Sequence, residues 1–251
     1  MSAIPSISSL SLSSSAKSRL IVALDYPSAP AALELVDRLE GSCLWFKVGL
    51  ELYYAAGNGL IETLRGRGLE VFLDLKLHDI PNTVAGAIGS VTQAGASLLT
   101  VHAGGGAAML AAAAEAALRP GAPRLLAVTV LTSMDAGELR GVGVMDTPQD
   151  QVLRLARLAK SCGIGGMVCS AEEVGTVRSE LGTEVVLVTP GIRSNGDAIG
   201  DQRRVASAGE AIQRGASMLV VGRPITQAKD PAAAANSLLA EIDRAGDPAL
   251  H

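Results

Sequence analysis

The residues in this sequence most suited to chemistry are charged side chains at the ends of apolar runs. Asp74 and Lys76 end one such run, and because they are two residues apart they point to the same face of a strand. Asp25 and Lys47 end the two apolar runs before it, and Asp79 follows where the strand gives way to a loop. Burying charges costs desolvation free energy unless they are paired and used. The cluster therefore predicts an active site or, as the alternative, an ion-pair network that only stabilises the sheet.

These residue types favour stabilisation of negative charge over other common mechanisms. Nearby carboxylates favour the charged ammonium form of Lys76, and a fixed ammonium stabilises a developing carbanion and then donates its proton. A Schiff base would need a neutral lysine, which the aspartates oppose. The sequence shows no Ser-His-Asp arrangement and no metal-ligand spacing. His78 is expected to be structural, whereas a structural role and a place in the pocket are equally expected for His102.

Eight short apolar runs alternate with helical stretches from Arg19 onward, and these elements must position the charges. The predicted strands are Leu20–Asp25, Leu44–Val48, Glu70–Lys76, Ser97–His102, Arg124–Leu131, Gly166–Cys169, Glu184–Thr189 and Ser217–Val221. The predicted helices are Pro30–Leu39, Gly49–Arg65, Pro81–Ala94, Gly105–Leu118, Pro148–Cys162, Ala171–Leu181, Arg203–Arg214 and Pro224–Arg244.

Eight strand–helix units of about 29 residues each are typical of an α/β fold of the (β/α)8 TIM-barrel type, here a single domain over residues 19–251. A doubly wound open sheet is the alternative, but the first strand is not followed by the Gly-rich phosphate fingerprint of that fold. In a barrel, the active site lies at the C-terminal ends of the strands, where the charged residues fall.

The ends of the last two strands predict an anion site. Gly222 lets the backbone approach a ligand closely, Pro224 starts a helix, and Arg223 supplies a cation. Arg193 follows the seventh strand as a second cation. Phosphate sites at these two strand ends are frequent in barrels. Two long loops, 132–147 and 191–201, are expected to carry function, the second as a movable lid.

Composition excludes several classes of protein. The chain is 48% hydrophobic, which excludes disorder, and only 2% aromatic, which disfavours base-stacking binders of single strands. A net charge of −4 and a pI near 5.4 disfavour a nucleic acid polymer as partner. No apolar run is long enough to predict a membrane span. A small nucleotide stays compatible, and we expect aliphatic packing rather than aromatic stacking against its base.

The cysteines and the N-terminus predict a cytoplasmic protein. Cys43, Cys162 and Cys169 form no C-x-x-C pair and are expected to be reduced and mostly buried. Residues 1–18 are rich in serine but have neither the basic start nor the apolar segment of a signal peptide. They are expected to form a flexible tail outside the barrel.

One segment carries a family resemblance. Residues 73–84, LDLKLHDIPNTV, resemble the D-x-K-x-x-D signature of the orotidine 5′-monophosphate decarboxylase family. The segments that agree with it in order and spacing are Val22–Asp25, Phe46–Gly49, Val130–Ser133, Thr189–Arg193, Asp201–Arg204 and Val221–Ile225. The signature alone is shared with a sugar-phosphate decarboxylase relative, but together with the IPNTV and DQ-R-R extensions it is specific.

The resemblance implies decarboxylation of orotidine 5′-monophosphate to UMP and CO₂, without cofactor or metal. It implies that Lys76 protonates C6, that Asp74 lies beside the substrate carboxylate, and that Lys47 and Asp25 contact the ribose. It also implies a homodimer in which Asp79 and Thr83 reach the partner's site. The remaining substrate contacts that it implies are Thr132 at the pyrimidine, and Arg193, Gln202, Gly222 and Arg223 at the phosphate.

Two other interpretations of the sequence stay open. One is a related phosphosugar barrel enzyme, either a metal-dependent decarboxylase or an aldolase-like synthase. A Mg²⁺ enzyme would be expected to offer a further Glu near the second strand, but that strand ends at Lys47, and Glu51 comes only after Gly49. The other is a catalytically inactive nucleotide-binding protein, which would be expected to have lost part of the charged cluster.

Overall fold

Eight parallel strands close into a barrel in which each strand pairs with its neighbours in sequence and β8 pairs with β1. The computed structural model describes residues 15–193 and 206–246. The strands are β1 Leu20–Leu24, β2 Trp45–Gly49, β3 Glu70–Leu77, β4 Leu98–His102, β5 Arg124–Val128, β6 Gly166–Val168, β7 Val186–Thr189 and β8 Met218–Val221. The predicted (β/α)8 barrel is therefore confirmed.

Helices cover the outside of the barrel between the strands. They are α1 Ala29–Arg38, α2 Leu50–Ala56, α3 Asn58–Gly66, α4 Pro81–Ala94, α5 Gly106–Ala116, α6 Ala136–Gly141, α7 Pro148–Ser161, α8 Val174–Leu181, α9 Ala208–Gln213, α10 Arg223–Thr226 and α11 Pro231–Gly246. No helix in these described ranges is long and apolar enough to cross a membrane.

Several predicted elements differ from the observed ones in their number or bounds. The predicted helix 49–65 is two helices, because Gly57 has a φ of +62° that interrupts the regular backbone. The predicted helix 224–244 is also two helices, α10 and α11, so only one short turn follows β8. The fifth strand ends at Val128 rather than Leu131, and the long loop after it contains the short helix α6, which Asp135 and Glu138 cap at its start.

The N-terminal boundary of the folded body lies earlier than the sequence suggested. Residues Ala16–Ser18, assigned to the flexible tail, form a 3₁₀ helix in which Ala16 and Ser18 are buried. The backbone N–H of Ala16 donates a hydrogen bond to Oδ1 of Asp243 in α11, at 3.2 Å. This contact attaches the segment before β1 to the last helix, so the prediction of a tail is wrong for these three residues. Residues 1–14 lie outside the described ranges.

Two apolar layers pack on the two faces of the strands. The outer layer lies between strands and helices and includes Leu20, Val22 and Leu24 of β1. The inner layer fills the barrel with Ile21, Ala23, Trp45, Phe72, Leu98, Leu126, Val186, Val188, Met218 and Val220. Because alternate residues of a strand face opposite sides, continuing the inner face of β3 beyond Phe72 brings Asp74 to the C-terminal end of the barrel. The packed interior therefore forms a floor beneath the charged residues.

Candidate active site

A cavity of about 260 Å³ opens at the C-terminal end of the barrel and contains most of the predicted site. The predicted site residues that line it are Asp25, Lys47, Asp74, Lys76, Thr132, Arg193, Gly222 and Arg223. They come from the ends of six different strands or the loops after them. This origin explains why residues far apart in sequence meet here, since all parallel strands end on the same side of the barrel.

Four charges of alternating sign run along one side of the cavity. Nζ of Lys47 lies 3.1 Å from Oδ1 of Asp25 and 3.8 Å from Oδ2 of Asp74. Nζ of Lys76 lies 2.9 Å from the other oxygen, Oδ1, of Asp74. The side chains of Lys47 and Asp74 are only 13% and 15% exposed, so the centre of the array is shielded from water. Each buried charge has an opposite charge as neighbour, which offsets its desolvation cost.

Lys76 reaches this position from an unusual backbone conformation. Among the described residues, it is the one residue other than glycine with a positive φ, +49°. Such a left-handed residue costs about 1–3 kcal/mol and persists where the surroundings hold it in place. The cause is a bulge in β3: Leu73 pairs with Leu99 of β4, but four residues later Leu77 pairs with Val101, only two residues after Leu99. The extra residues in the bulge include Asp74 and Lys76.

Thr100 of β4 fills the gap that the bulge leaves, and sequence reasoning missed it. Its side chain is completely buried. Its Oγ1 accepts a hydrogen bond from the backbone N–H of Lys76 at 2.8 Å and donates one to Oδ1 of Asp74 at 3.0 Å. In the sequence, Thr100 is one polar residue in the apolar run 98–101, and that break in the pattern was the available signal.

The predicted anion side of the cavity is partly described. Arg193, Gly222 and Arg223 line the cavity, and Gly222 lies beside Asp25, since a Cβ on Gly222 would be 3.6 Å from Oδ2 of Asp25. The helix that follows, α10, has only four residues, so Arg193, Arg223 and the backbone at Gly222 are the parts of the predicted anion site that the structure places at the cavity. Gln202 and most of the predicted lid lie outside the described residues.

Two predicted site residues lie outside this chain's own cavity. Asp79 and Thr83 are exposed and do not line it. Oδ1 of Asp79 accepts a hydrogen bond from the backbone N–H of Ile80, whose side chain is 67% exposed.

The two histidines form a pair beside the site. The rings of His78 and His102 stack with their centroids 5.0 Å apart, and neither lines the cavity. The expectation that His102 could line the pocket is therefore not met. Nδ1 of His102 accepts a hydrogen bond from the N–H of Gly104 at 3.0 Å. Burial, followed by the nearby His78 and Lys76, lowers the pKa of His102.

The uncharged wall of the cavity is largely aliphatic. Val128, Val168 and Val220 contribute to it, together with the aromatic ring of Phe72, which sequence reasoning did not single out. Cys169 also lines the cavity, and burial raises the pKa of its thiol to about 12, so it stays protonated. Trp45 and Phe46 are buried elsewhere. Within residues 15–193 and 206–246, no group of three or more His, Cys, Asp or Glu side chains is placed to hold a metal ion.

A closed (β/α)8 barrel with a paired array of carboxylates and ammonium groups at its C-terminal end is the arrangement of a barrel enzyme, with its site where the strands end. Comparison with known proteins identifies the family. The sequence model described as "Orotidine 5'-phosphate decarboxylase / HUMPS family" matches residues 18–238. The chain therefore belongs to the orotidine 5′-phosphate decarboxylase / HUMPS family.

Several relatives are similar over nearly their whole length. The orotidine 5′-phosphate decarboxylase of Nitrosospira multiformis is 50% identical over 225 residues, which cover 90% of this chain and 94% of the relative. That of Halorhodospira halophila is 51% identical over 229 residues, which cover 91% and 97%. The crystal structure of orotidine 5′-phosphate decarboxylase from Lactobacillus acidophilus aligns with a TM-score of 0.80 at 37% identity, covering 89% of this chain and 98% of that one.

Proposed function

We propose that this chain is a carboxy-lyase that converts orotidine 5′-monophosphate to UMP and CO₂ in pyrimidine biosynthesis, and that it needs no cofactor or metal. The observation that carries the proposal is the uninterrupted array of Asp25, Lys47, Asp74 and Lys76 at the cavity. Relatives about 50% identical over nearly the whole chain carry the name of this activity, which supports the choice of reaction. An intact array disfavours an inactive nucleotide-binding protein.

Lys76 is the proton donor in this proposal. When the bond between C6 and the carboxylate carbon breaks, CO₂ leaves and the electron pair stays on C6, where little delocalisation is available. An ammonium already held in place stabilises this charge more in the transition state than in the ground state. Nζ of Lys76, fixed by Asp74 at 2.9 Å, then transfers a proton to C6 to give UMP, and water returns a proton to the amine.

The other residues at the cavity bind and orient the nucleotide. Asp74 faces the substrate carboxylate, and Asp25 and Lys47 contact the ribose hydroxyl groups. Thr132 contacts the pyrimidine, while the remaining predicted contacts hold the phosphate: Arg193, Gln202, Gly222 and Arg223. Because the phosphate is remote from C6, its binding free energy can orient the base without taking part in the chemistry.

The active unit in this proposal is a homodimer. Asp79 and Thr83 serve the partner's site, which is supported by their exposure and by their absence from this chain's own cavity. The exposed apolar side chains of Ile80, after β3, and Leu50, after the adjacent strand β2, support a covered surface at this end of the barrel. We place the enzyme in the cytoplasm, which the three free cysteines support.

The test is the decrease in absorbance of orotidine 5′-monophosphate in the presence of the wild type, Lys76→Ala and Lys229→Ala. We expect Lys76→Ala to lower kcat by at least about 10²- to 10³-fold, the effect of removing one transition-state donor. Lys229 is an exposed lysine away from the cavity, so its variant should retain wild-type activity. Equal rates for the wild type and Lys76→Ala would contradict the role of Lys76.

The same assay distinguishes the proposed cofactor-free reaction from the reaction of a related metal-dependent enzyme. Treatment with EDTA should leave turnover unchanged. Loss of turnover with EDTA and its recovery on adding Mg²⁺ would overturn the cofactor-free reaction and favour the phosphosugar relative.

A further inference from the structure

We propose that Thr100 is a positioning residue for the decarboxylation, and that its hydroxyl fixes both Lys76 and Asp74. This inference rests on the proposed function. It adds a residue from β4, a strand that contributes none of the four charges of the array. Thr100 is 24 residues away from Lys76 in sequence and completely buried. It reaches the site only because the bulge in β3 opens the pairing between the two strands.

The hydrogen bonds of Thr100 have a defined direction. A threonine hydroxyl has one proton to donate and lone pairs to accept with. Here Oγ1 accepts from the backbone N–H of Lys76 at 2.8 Å, so its proton is free to point at Oδ1 of Asp74, 3.0 Å away. The same Oδ1 accepts from Nζ of Lys76 at 2.9 Å. Thr100 therefore closes a ring that runs from the backbone of Lys76 through Asp74 to the ammonium of Lys76.

The two hydrogen bonds of Thr100 in this ring have separate structural roles. The bulge removes Lys76 from the regular pairing with β4, and a buried backbone N–H without a partner is costly. The bond to Thr100 supplies that partner and holds Lys76 at its φ of +49°. The bond to Asp74 fixes the rotation of a carboxylate that must face both Lys47 and Lys76. Loss of the hydroxyl would release both constraints together.

Thr100→Val tests the proposal because valine keeps the branched shape and replaces the hydroxyl with a methyl group. Hydrogen bonds to charged groups are strong, so we expect kcat to fall by roughly 10- to 100-fold. KM should change by less than about threefold, because no substrate contact is lost. Thr100→Ser keeps the hydroxyl and should restore kcat to within about threefold of the wild type.

Thr129→Val is the matched control. Thr129 is also buried and follows the neighbouring strand β5, but its hydroxyl donates to the carbonyl of Val168, at 3.3 Å, and it does not line the cavity. Its variant should keep wild-type kcat. Circular dichroism at the assay temperature establishes that each variant is folded. If Thr100→Val does not fold, Thr100→Ala removes the same hydroxyl without adding a methyl group. The kcat and KM of Thr100→Ala are then compared with those of the wild type in the same way.

The outcomes distinguish the two proposals. If the wild type does not decarboxylate orotidine 5′-monophosphate, the proposed function fails, and Thr100 has no such reaction to position. If the wild type is active and a folded Thr100→Val or Thr100→Ala variant has the same kcat, Thr100 is only structural and the positioning role is overturned. An equal loss of kcat in Thr100→Ser would also overturn it, because the hydroxyl would then not be the group that matters.

Discussion

Nζ of Lys76 lies 2.9 Å from Oδ1 of Asp74, two residues earlier on the same strand, although the backbone between the two residues leaves the regular sheet pattern. In a regular strand, residues two apart share a face but point in parallel directions. Here the left-handed conformation of Lys76 turns its side chain, and the ammonium meets the carboxylate at hydrogen-bonding distance. Asp74 meets Lys47 on its other side. The carboxylate thus lies between two cations, and this arrangement leads to the first prediction.

Asp74→Asn should lower kcat by at least about 10²-fold, because it removes the negative charge between Lys47 and Lys76 and replaces one carboxylate oxygen with an amide group that cannot accept from an ammonium. Steady-state kinetics with orotidine 5′-monophosphate measures the change. Asp37→Asn is the control, since Asp37 is an exposed partner of Arg67 far from the cavity, and its variant should behave as the wild type. Unchanged kcat in Asp74→Asn would show that the array is a structural ion-pair network.

Complementation between subunits tests the shared site. Lys76→Ala and Asp79→Ala should each be nearly inactive as homodimers. Mixing and reassociation should restore activity up to about a quarter of the wild type, because half the dimers are mixed and each mixed dimer has one complete site. Activity of the mixture after separation and reassociation is the measurement. If the mixture stays as inactive as its components, or if Asp79→Ala alone is fully active, Asp79 does not serve the partner's site.

Acid should destabilise the protein through His102. Because its pKa is lower in the folded state than the ordinary value of 6.5, the unfolded chain binds more protons between the two values. The free energy of unfolding should therefore decrease as the pH falls through the ordinary histidine pKa near 6.5 toward the lower folded-state value. Urea unfolding at a series of pH values measures this slope. His102→Gln removes the titrating group and should flatten it, whereas an identical slope in the variant would assign the acid sensitivity to other groups.

Cysteine labelling should follow burial. Burial raises the pKa of Cys43 to about 11 and that of Cys169 to about 12, so neither forms the reactive thiolate near neutral pH. Iodoacetamide applied to the native protein should modify the half-buried Cys162 first, and mass spectrometry of the digested chain identifies the site. In urea all three should react. Rapid modification of Cys169 in the native protein would show that its thiol becomes exposed to solvent without global unfolding.

The sequence predicted a large part of the site because charge is rare on the inner face of a barrel strand. Asp25, Lys47, Asp74 and Lys76 were each identifiable as charges at the ends of apolar runs, and all of them line the cavity. Periodicity and unit length were enough to predict the barrel, since both follow from local pattern. Boundaries were less predictable: the break at Gly57 depends on one backbone conformation, and the buried Ala16–Ser18 segment depends on its contact with Asp243 in α11.

By itself the sequence determined the eight strand–helix units, the apolar filling of the barrel and the charged residues at its C-terminal end, because these are encoded in residue type and spacing. Only the tertiary structure decided the bulge in β3, the left-handed conformation of Lys76 and the part played by Thr100. The physical reason is that the register between β3 and β4 depends on how neighbouring strands pack. A hydrogen bond between residues 24 positions apart has no local signature in the chain.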